Sequence, residues 1–210
     1  MKTLESESLE KLLLEISACR VCRAHLPLGP RPIVQLAETA SLLIMSQAPG
    51  RKAHQTGIPW NDASGERLRD WIGLDRATFY DETKVAIIPM AFCYPGAGQG
   101  SADKPPRPEC APLWHERVLR HLPNLQMTLL VGHHAQRHYF GPSWKYSMTE
   151  TVKAFSDYGR DVFPLPHPSW RSTIWMRKHP WFEKSVIPEL RRAVKNATAD
   201  VNSFSQRKIS

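Results

Sequence analysis

The chain has 210 residues, with 28 Lys and Arg against 20 Asp and Glu, a formal net charge of +8 and a pI near 9.5. That length suits one compact domain with a proper core and is short for two. No apolar run approaches the span of a bilayer, and the N-terminus MKTLESESLEKLLLEIS lacks the apolar block of a secretory signal. These features read as a soluble, cytoplasmic protein, with a monomer as the expectation although the sequence does not give the oligomeric state, and the basic excess suits a polyanionic partner such as nucleic acid.

In chain order, residues 4–18 form an amphipathic helix whose apolar stripe is Leu4, Leu9, Leu12, Leu13 and Ile16. Ser41 to Met45 is a buried strand that ends at the loop Gln47-Ala48-Pro49-Gly50. A helix runs from Ser64, its N-cap, to about Ile72. Val85 to Met90 is a second strand, followed by a Pro- and Gly-rich loop over 94–108. Pro112 to His121 is helical, Met127 to Val131 is a third strand, and Gly132 to Tyr139 opens another helix. Val162 to Leu165 is a fourth strand, ending at Pro166-His167-Pro168-Ser169, and His179 to Lys195 is helical. Residues 1–195 make a single domain, and 196–210 read as a polar, disordered tail.

Apolar strands alternating with helices predict a three-layer α/β/α sandwich around a mostly parallel four-stranded sheet. In such sheets ligands bind beyond the carboxyl ends of the strands. The loops after Ser46, after Met90 and after Leu165 therefore converge on one edge.

Cys19 and Cys22 form a C-x-x-C pair, and Cys93 and Cys110 flank an irregular loop. Four thiols in a cytosolic chain point to a shared metal centre sooner than to disulfides. Zinc and a [4Fe–4S] cluster both accept four thiolates, so spacing alone leaves the two open.

Ser46 to Trp60 is the most informative segment. Small residues and prolines let its backbone approach a ligand, and Trp60 offers a flat face for stacking on a base, although a tryptophan also serves as core. His167, fixed by Pro168, can donate to a developing anion or sit in an ordinary turn. Trp170 to Phe182 interleaves tryptophans with basic residues, the composition that base extrusion from a duplex requires; Trp181 and Phe182 read as core. Lys104 and Arg107, in the glycine-rich loop, can bind phosphate.

The pattern S-Q-A-P-G-x6-G-x-P-W-x-x-x-S-G resembles the first motif of the iron–sulfur, family 4 uracil-DNA glycosylases, G-E-A-P-G-x6-G-x-P-F-x-G-x-A-G. His167-Pro168-Ser169 is similar to the second signature of that superfamily, and the four cysteines fall in the family order. The resemblance implies a monofunctional DNA repair glycosylase that flips a deaminated base and hydrolyses its N-glycosidic bond with water.

In that reading Gln47, Ala48, Pro49 and Gly50 position the water, Trp60 stacks on the base and His167 stabilises the departing base. Ser169, Trp170 and Arg171 meet the minor groove and phosphate. Cys19, Cys22, Cys93 and Cys110 hold a structural [4Fe–4S] cluster, with zinc as the second candidate.

Two positions depart from the pattern. Gln47 replaces the family's acidic residue, and Pro89 replaces an asparagine that reads the base. The substrate is uracil by resemblance, with hypoxanthine or xanthine open. Asp62, Asn61 and His54 are candidates to supply the missing polar groups. Asp62 ranks first, and it is equally placed to cap the following helix. The rival reading is a nucleic-acid-binding member of the same fold with weak or no catalysis.

Overall fold

The computed structural model describes residues 7–100, 102–141, 144 and 147–199. Four strands, β1 (Leu42–Ser46), β2 (Val85–Pro89), β3 (Met127–Val131) and β4 (Val162–Leu165), form one sheet in the order β2-β1-β3-β4. Every pairing is parallel, with Leu42 opposite Val85 and Met127, and Thr128 opposite Val162. The three-layer α/β/α expectation holds.

The strands are buried along their whole length because both faces are covered. The two-residue side-chain period sorts their residues into two cores. Leu42, Ile44, Val85, Ile87, Leu129, Val131, Phe163 and Leu165 enter one. Leu43, Met45, Ala86, Ile88, Leu130 and Val162 enter the other.

The first face is covered by α3 (Ala63–Ile72) and α9 (Ile187–Thr198), which bring Leu68, Trp71, Ile72, Leu190 and Val194. The second is covered by α1 (Leu9–Ala18) and α5 (Cys110–Leu119), through Leu12, Ile16, Trp114 and Val118. Each Leu, Ile or Val sealed in these layers contributes roughly 1.5–3 kcal/mol.

Pro89 and Pro164 lie in β2 and β4, the two edge strands, where a missing N–H breaks no internal ladder. The open side of β2 is closed by Gln35, whose N–H and C=O exchange hydrogen bonds with Ile87 at 3.1 and 2.7 Å.

Several boundaries differ from the sequence reading. The first helix starts at Leu9 with Ser8 as its cap, its Oγ accepting from the Lys11 N–H at 3.3 Å, and Leu4 lies outside the described residues. The cap of α3 is Asp62, not Ser64: its Oδ1 accepts from the Gly65 N–H at 2.9 Å, and a carboxylate in that role also complements the helix dipole.

The segment after Gly50 forms a short helix, α2 (Arg51–Thr56), stopped by Gly57 at φ +76°. Two more short helices, α4 (Arg76–Phe79) and α7 (Met148–Lys153), were not anticipated, and α6 (His133–Phe140) was. The stretch after Trp170 is helical as α8 (Arg171–Lys178).

The helix expected over 179–195 is present without a break over 181–198, with a π-helical turn at Phe182–Val186 leading into α9. Pro188, which has no N–H to donate back into the preceding turn, lies in the first turn of α9. At its far end α9 runs to Thr198 with Ala197 buried, so the first residues assigned to the tail are helical; 200–210 lie outside the described residues. Among the described residues no helix is long and apolar enough to cross a membrane.

One buried histidine makes the fold acid-sensitive. His115 is 3% exposed, stacks on Phe92 and meets the Pro89 carbonyl through Nε2 at 2.9 Å, while its Nδ1 has no hydrogen-bond partner. Burial pushes its pKa from 6.5 down to about 4, against the Pro89 bond. Between those two values the unfolded chain binds a proton there and the folded chain does not, so stability falls as pH drops through that window. Urea denaturation at pH 7.5 and pH 5 should give a lower midpoint in acid, and His115→Gln should reduce the difference, part of it remaining with His134 and His167, whose pKa values burial also lowers to about 4.

Candidate functional site

Because the strands are parallel, Ser46, Pro89, Val131 and Leu165 all end at one edge, and the four loops that follow enclose a cleft of about 490 Å³. That size suits a small ligand or a single nucleobase. The Gln47–Gly50 loop and Trp60 form one wall, His133 and His134 at the start of α6 another, and His167 with Ser169–Arg171 a third. Asp103, Lys104 and Pro105, from the loop after β2, close the mouth.

Trp60 and His167 face each other here, with ring centroids 5.6 Å apart and planes 30° from parallel. Trp60 reaches this position through backbone that large residues avoid, at φ +55°. Three contacts hold it. The Tyr80 hydroxyl donates to the Pro59 carbonyl at 2.9 Å, and Arg69, only 8% exposed, donates to the Trp60 carbonyl at 3.4 Å. Gly65 supplies the third by having no side chain, because a Cβ there would stand 1.8 Å from the Trp60 carbonyl oxygen.

His167 is packed against Gly132, which adopts φ +86° and leaves 3.4 Å between its own missing Cβ and that of His167. Burial drives the His167 pKa to about 4; the charge of Asp62 opposes the shift and His133 and His134 add to it. At neutral pH the ring is therefore uncharged and presents one N–H donor and one acceptor.

The His-Pro-Ser turn is tied down by Arg67 of α3, whose Nη1 donates to the carbonyls of Ser169 at 2.5 Å and Pro168 at 3.3 Å. The end of β4 is pinned by the buried Gln136, whose amide donates to the Leu165 carbonyl at 2.9 Å.

Of the residues singled out from the sequence, Gln47, Ala48, Pro49, Gly50, Trp60, Asp62, Lys104, His167, Ser169, Trp170 and Arg171 line this cleft. Trp170 is 57% exposed, with the Arg171 guanidinium 4.9 Å above its ring. Asn61 is occupied elsewhere, bonded to Arg76 at 3.3 Å and Thr56 at 3.4 Å. His54 turns toward Tyr94. Arg107 pairs with Glu109 at 2.5 Å, beside the cysteines rather than in the cleft.

Sequence reasoning missed His133, His134, Asp103 and Arg67. The two histidines carried a usable signal, since Gly132-His133-His134 follows a strand as the other site loops do. Asp103 and Arg67 carried none, because only the folded chain brings them to the site.

Cys19, Cys22, Cys93 and Cys110 are free thiols around a second, narrow pocket floored by Leu26, Phe92 and Trp114. Burial raises the Cys93 pKa to about 11 and that of Cys110 to about 12; in both, the neighbouring cysteines add to the rise. Among the described residues no group of three or more His, Cys, Asp or Glu side chains converges closely enough to hold a single metal ion.

The tight fit at residue 65 has a measurable consequence. Gly65→Ala forces the Trp60 turn to move and should cost at least about 1–3 kcal/mol in urea denaturation. Gly50→Ala, whose methyl would meet its neighbours no closer than 3.6 Å, should leave the midpoint nearly unchanged.

The family model described as Uracil DNA glycosylase superfamily matches residues 34–191. That span covers more than half the chain, with all four strands and every wall of the cleft, and leaves Cys19 and Cys22 outside it. The chain belongs to the uracil-DNA glycosylase superfamily, whose members act on DNA in base excision repair.

Proposed function

We propose that this protein is a DNA glycosylase that draws one deaminated base out of the duplex into the cleft and hydrolyses its N-glycosidic bond. The observation that carries this reading is the meeting of Trp60 and His167, 5.6 Å apart, at the carboxyl edge of the sheet. Trp60 stacks on the extruded base. Its neighbour His167, neutral at physiological pH, donates its N–H to the base carbonyl on which negative charge grows as the bond to the sugar breaks. A donor held in place by protein rather than water spends nothing on reorganisation at that moment. The Gln47–Gly50 loop lies beside the sugar, and the catalytic weight rests on the leaving group because Gln47 has no carboxylate.

Ser169, Trp170, Arg171 and Lys104 form the DNA-facing rim, supported by the net charge of +8. Exposed Trp170 serves as the wedge, its stacked Arg171 reaching phosphate. Pro89 in the cleft cannot read an amide edge, so uracil stands beside hypoxanthine and xanthine as a substrate. Incubation with oligonucleotides carrying each base, followed by alkaline cleavage, decides among them. Tight, salt-sensitive DNA binding with no release of any base would instead establish an inactive, DNA-binding member of the fold.

His167→Ala should lower single-turnover base release by roughly 10²–10³-fold, the loss typical of a removed oxyanion donor. Its DNA dissociation constant should stay near that of the wild type. Unchanged release in the variant would remove His167 from the mechanism.

We propose, from the order of the four cysteines along the chain, that they hold a [4Fe–4S] cluster, with zinc as the second candidate; the support is that all four line one pocket. When bound, a [4Fe–4S] cluster would tie the C-x-x-C segment to the two ends of the loop that carries Asp103 and Lys104. Anaerobically purified protein should be brown with iron bound, and Cys93→Ala should lose both colour and iron. A colourless, zinc-loaded wild type would overturn the cluster.

A further inference from the structure

Hydrolysis of the glycosidic bond releases a proton from the attacking water, and Gln47 cannot accept it. Among the described residues that line the cleft, the carboxylates are Asp62 and Asp103. We propose that Asp103, on the loop between Cys93 and Cys110, is the base that takes this proton, an assignment that rests on the glycosylase reading above.

The geometry around Gly50 points to it. The Asp62 and Asp103 carboxylates both approach this residue, their Oδ2 atoms 3.6 and 3.7 Å from where a Cβ would be. The backbone of Gly50, at φ −79° and ψ 173°, is open to any residue, so its conformation does not require glycine. What the missing side chain provides is space between two carboxylates, at the end of the loop that lies beside the sugar. A water molecule in that space can donate to either one.

The two acids are not equivalent. Asp62 is committed through Oδ1 to the first turn of α3, where its charge is needed, and it also stabilises a positive charge on His167. Asp103 caps no helix among the described residues. It sits on a small antiparallel hairpin in which the Lys104 N–H donates to the Gly96 carbonyl and the Gly98 N–H to the Ala102 carbonyl, both at 2.8 Å. The residue is exposed at the mouth of the cleft, and its carboxyl interacts with the hydroxyl of the buried Tyr94.

There burial raises its pKa above the ordinary aspartate range; the Tyr94 bond opposes the rise and the Asp62 charge adds to it. A carboxylate made more basic in this way is a better proton acceptor near neutral pH.

The step balances as follows. The water oxygen bonds to C1′ of the sugar, and the C1′–N bond breaks with its electron pair leaving on the base. The base anion is held by the His167 N–H. The proton of the water passes to Asp103 and from there to solvent, which returns a proton to the released base.

Single-turnover base release and DNA affinity, measured on the full chain with the best base of the oligonucleotide panel, test the assignment. Asp103→Asn keeps the shape and an acceptor for Tyr94, and should lower the rate at least about 100-fold with wild-type DNA affinity and thermal midpoint. Gly50→Ala should also slow release, because its methyl occupies the space meant for water. Asp62→Asn retains an efficient cap and should cost only a few-fold.

A large loss in Asp62→Asn with a fully active Asp103→Asn would transfer the role to Asp62 and overturn the proposal. Full activity in both would overturn it while leaving the glycosylase reading intact, provided that His167→Ala is impaired. A wild type that binds DNA and releases no base would bring down both.

Discussion

Four short strands, buried on both faces and paired only in parallel, impose the constraint from which the cleft follows. Parallel pairing sends every strand out of the sheet on the same side, so Ser46, Pro89, Val131 and Leu165 deliver their loops to one edge. The pairing is kept because both faces carry apolar side chains, sorted by the two-residue period into separate cores. A slip of one residue would exchange those faces and dissolve both cores.

Local devices then refine what the sheet supplies. Glycines act by subtraction: Gly65 makes room for the Trp60 carbonyl, Gly132 for His167, and Gly50 for the space between two acids. Arg69 and Arg67 act by addition, fixing the backbone of Trp60 and of the His-Pro-Ser turn. Neither arginine faces the cleft. Their contribution is to hold backbone in conformations that Trp60, at φ +55°, would otherwise leave.

The electrostatics of the cleft follow from burial. Histidines are kept neutral there, since His134 and His167 both have pKa values lowered to about 4. Aspartate is pushed the other way, as Asp103 shows. Low solvent access moves His134, His167 and Asp103 toward their uncharged forms, and uncharged imidazoles beside a raised carboxyl group suit chemistry in which charge develops only during the reaction. The cysteine pocket obeys the same rule with thiols, and it needs a bound cation if its sulfurs are to be charged.

The sequence by itself determined the sheet, its strands and most of the cleft wall. Continuous apolar runs such as Leu42–Met45 and Met127–Val131 can be satisfied only where both faces are covered, and the loops that follow them had to meet. It also placed Trp60 and His167 on loops that line the cleft, because their turns are local. Only the tertiary structure decided which carboxylates share the space around Gly50, that Asp62 rather than Ser64 caps α3, and that Asn61 and Arg107 turn away. The physical reason is one of range. Periodicity and turn chemistry act over a few residues, whereas Asp103 and Asp62 are separated by α3, α4, β2 and a long loop, and their proximity is a property of packing that no local pattern encodes.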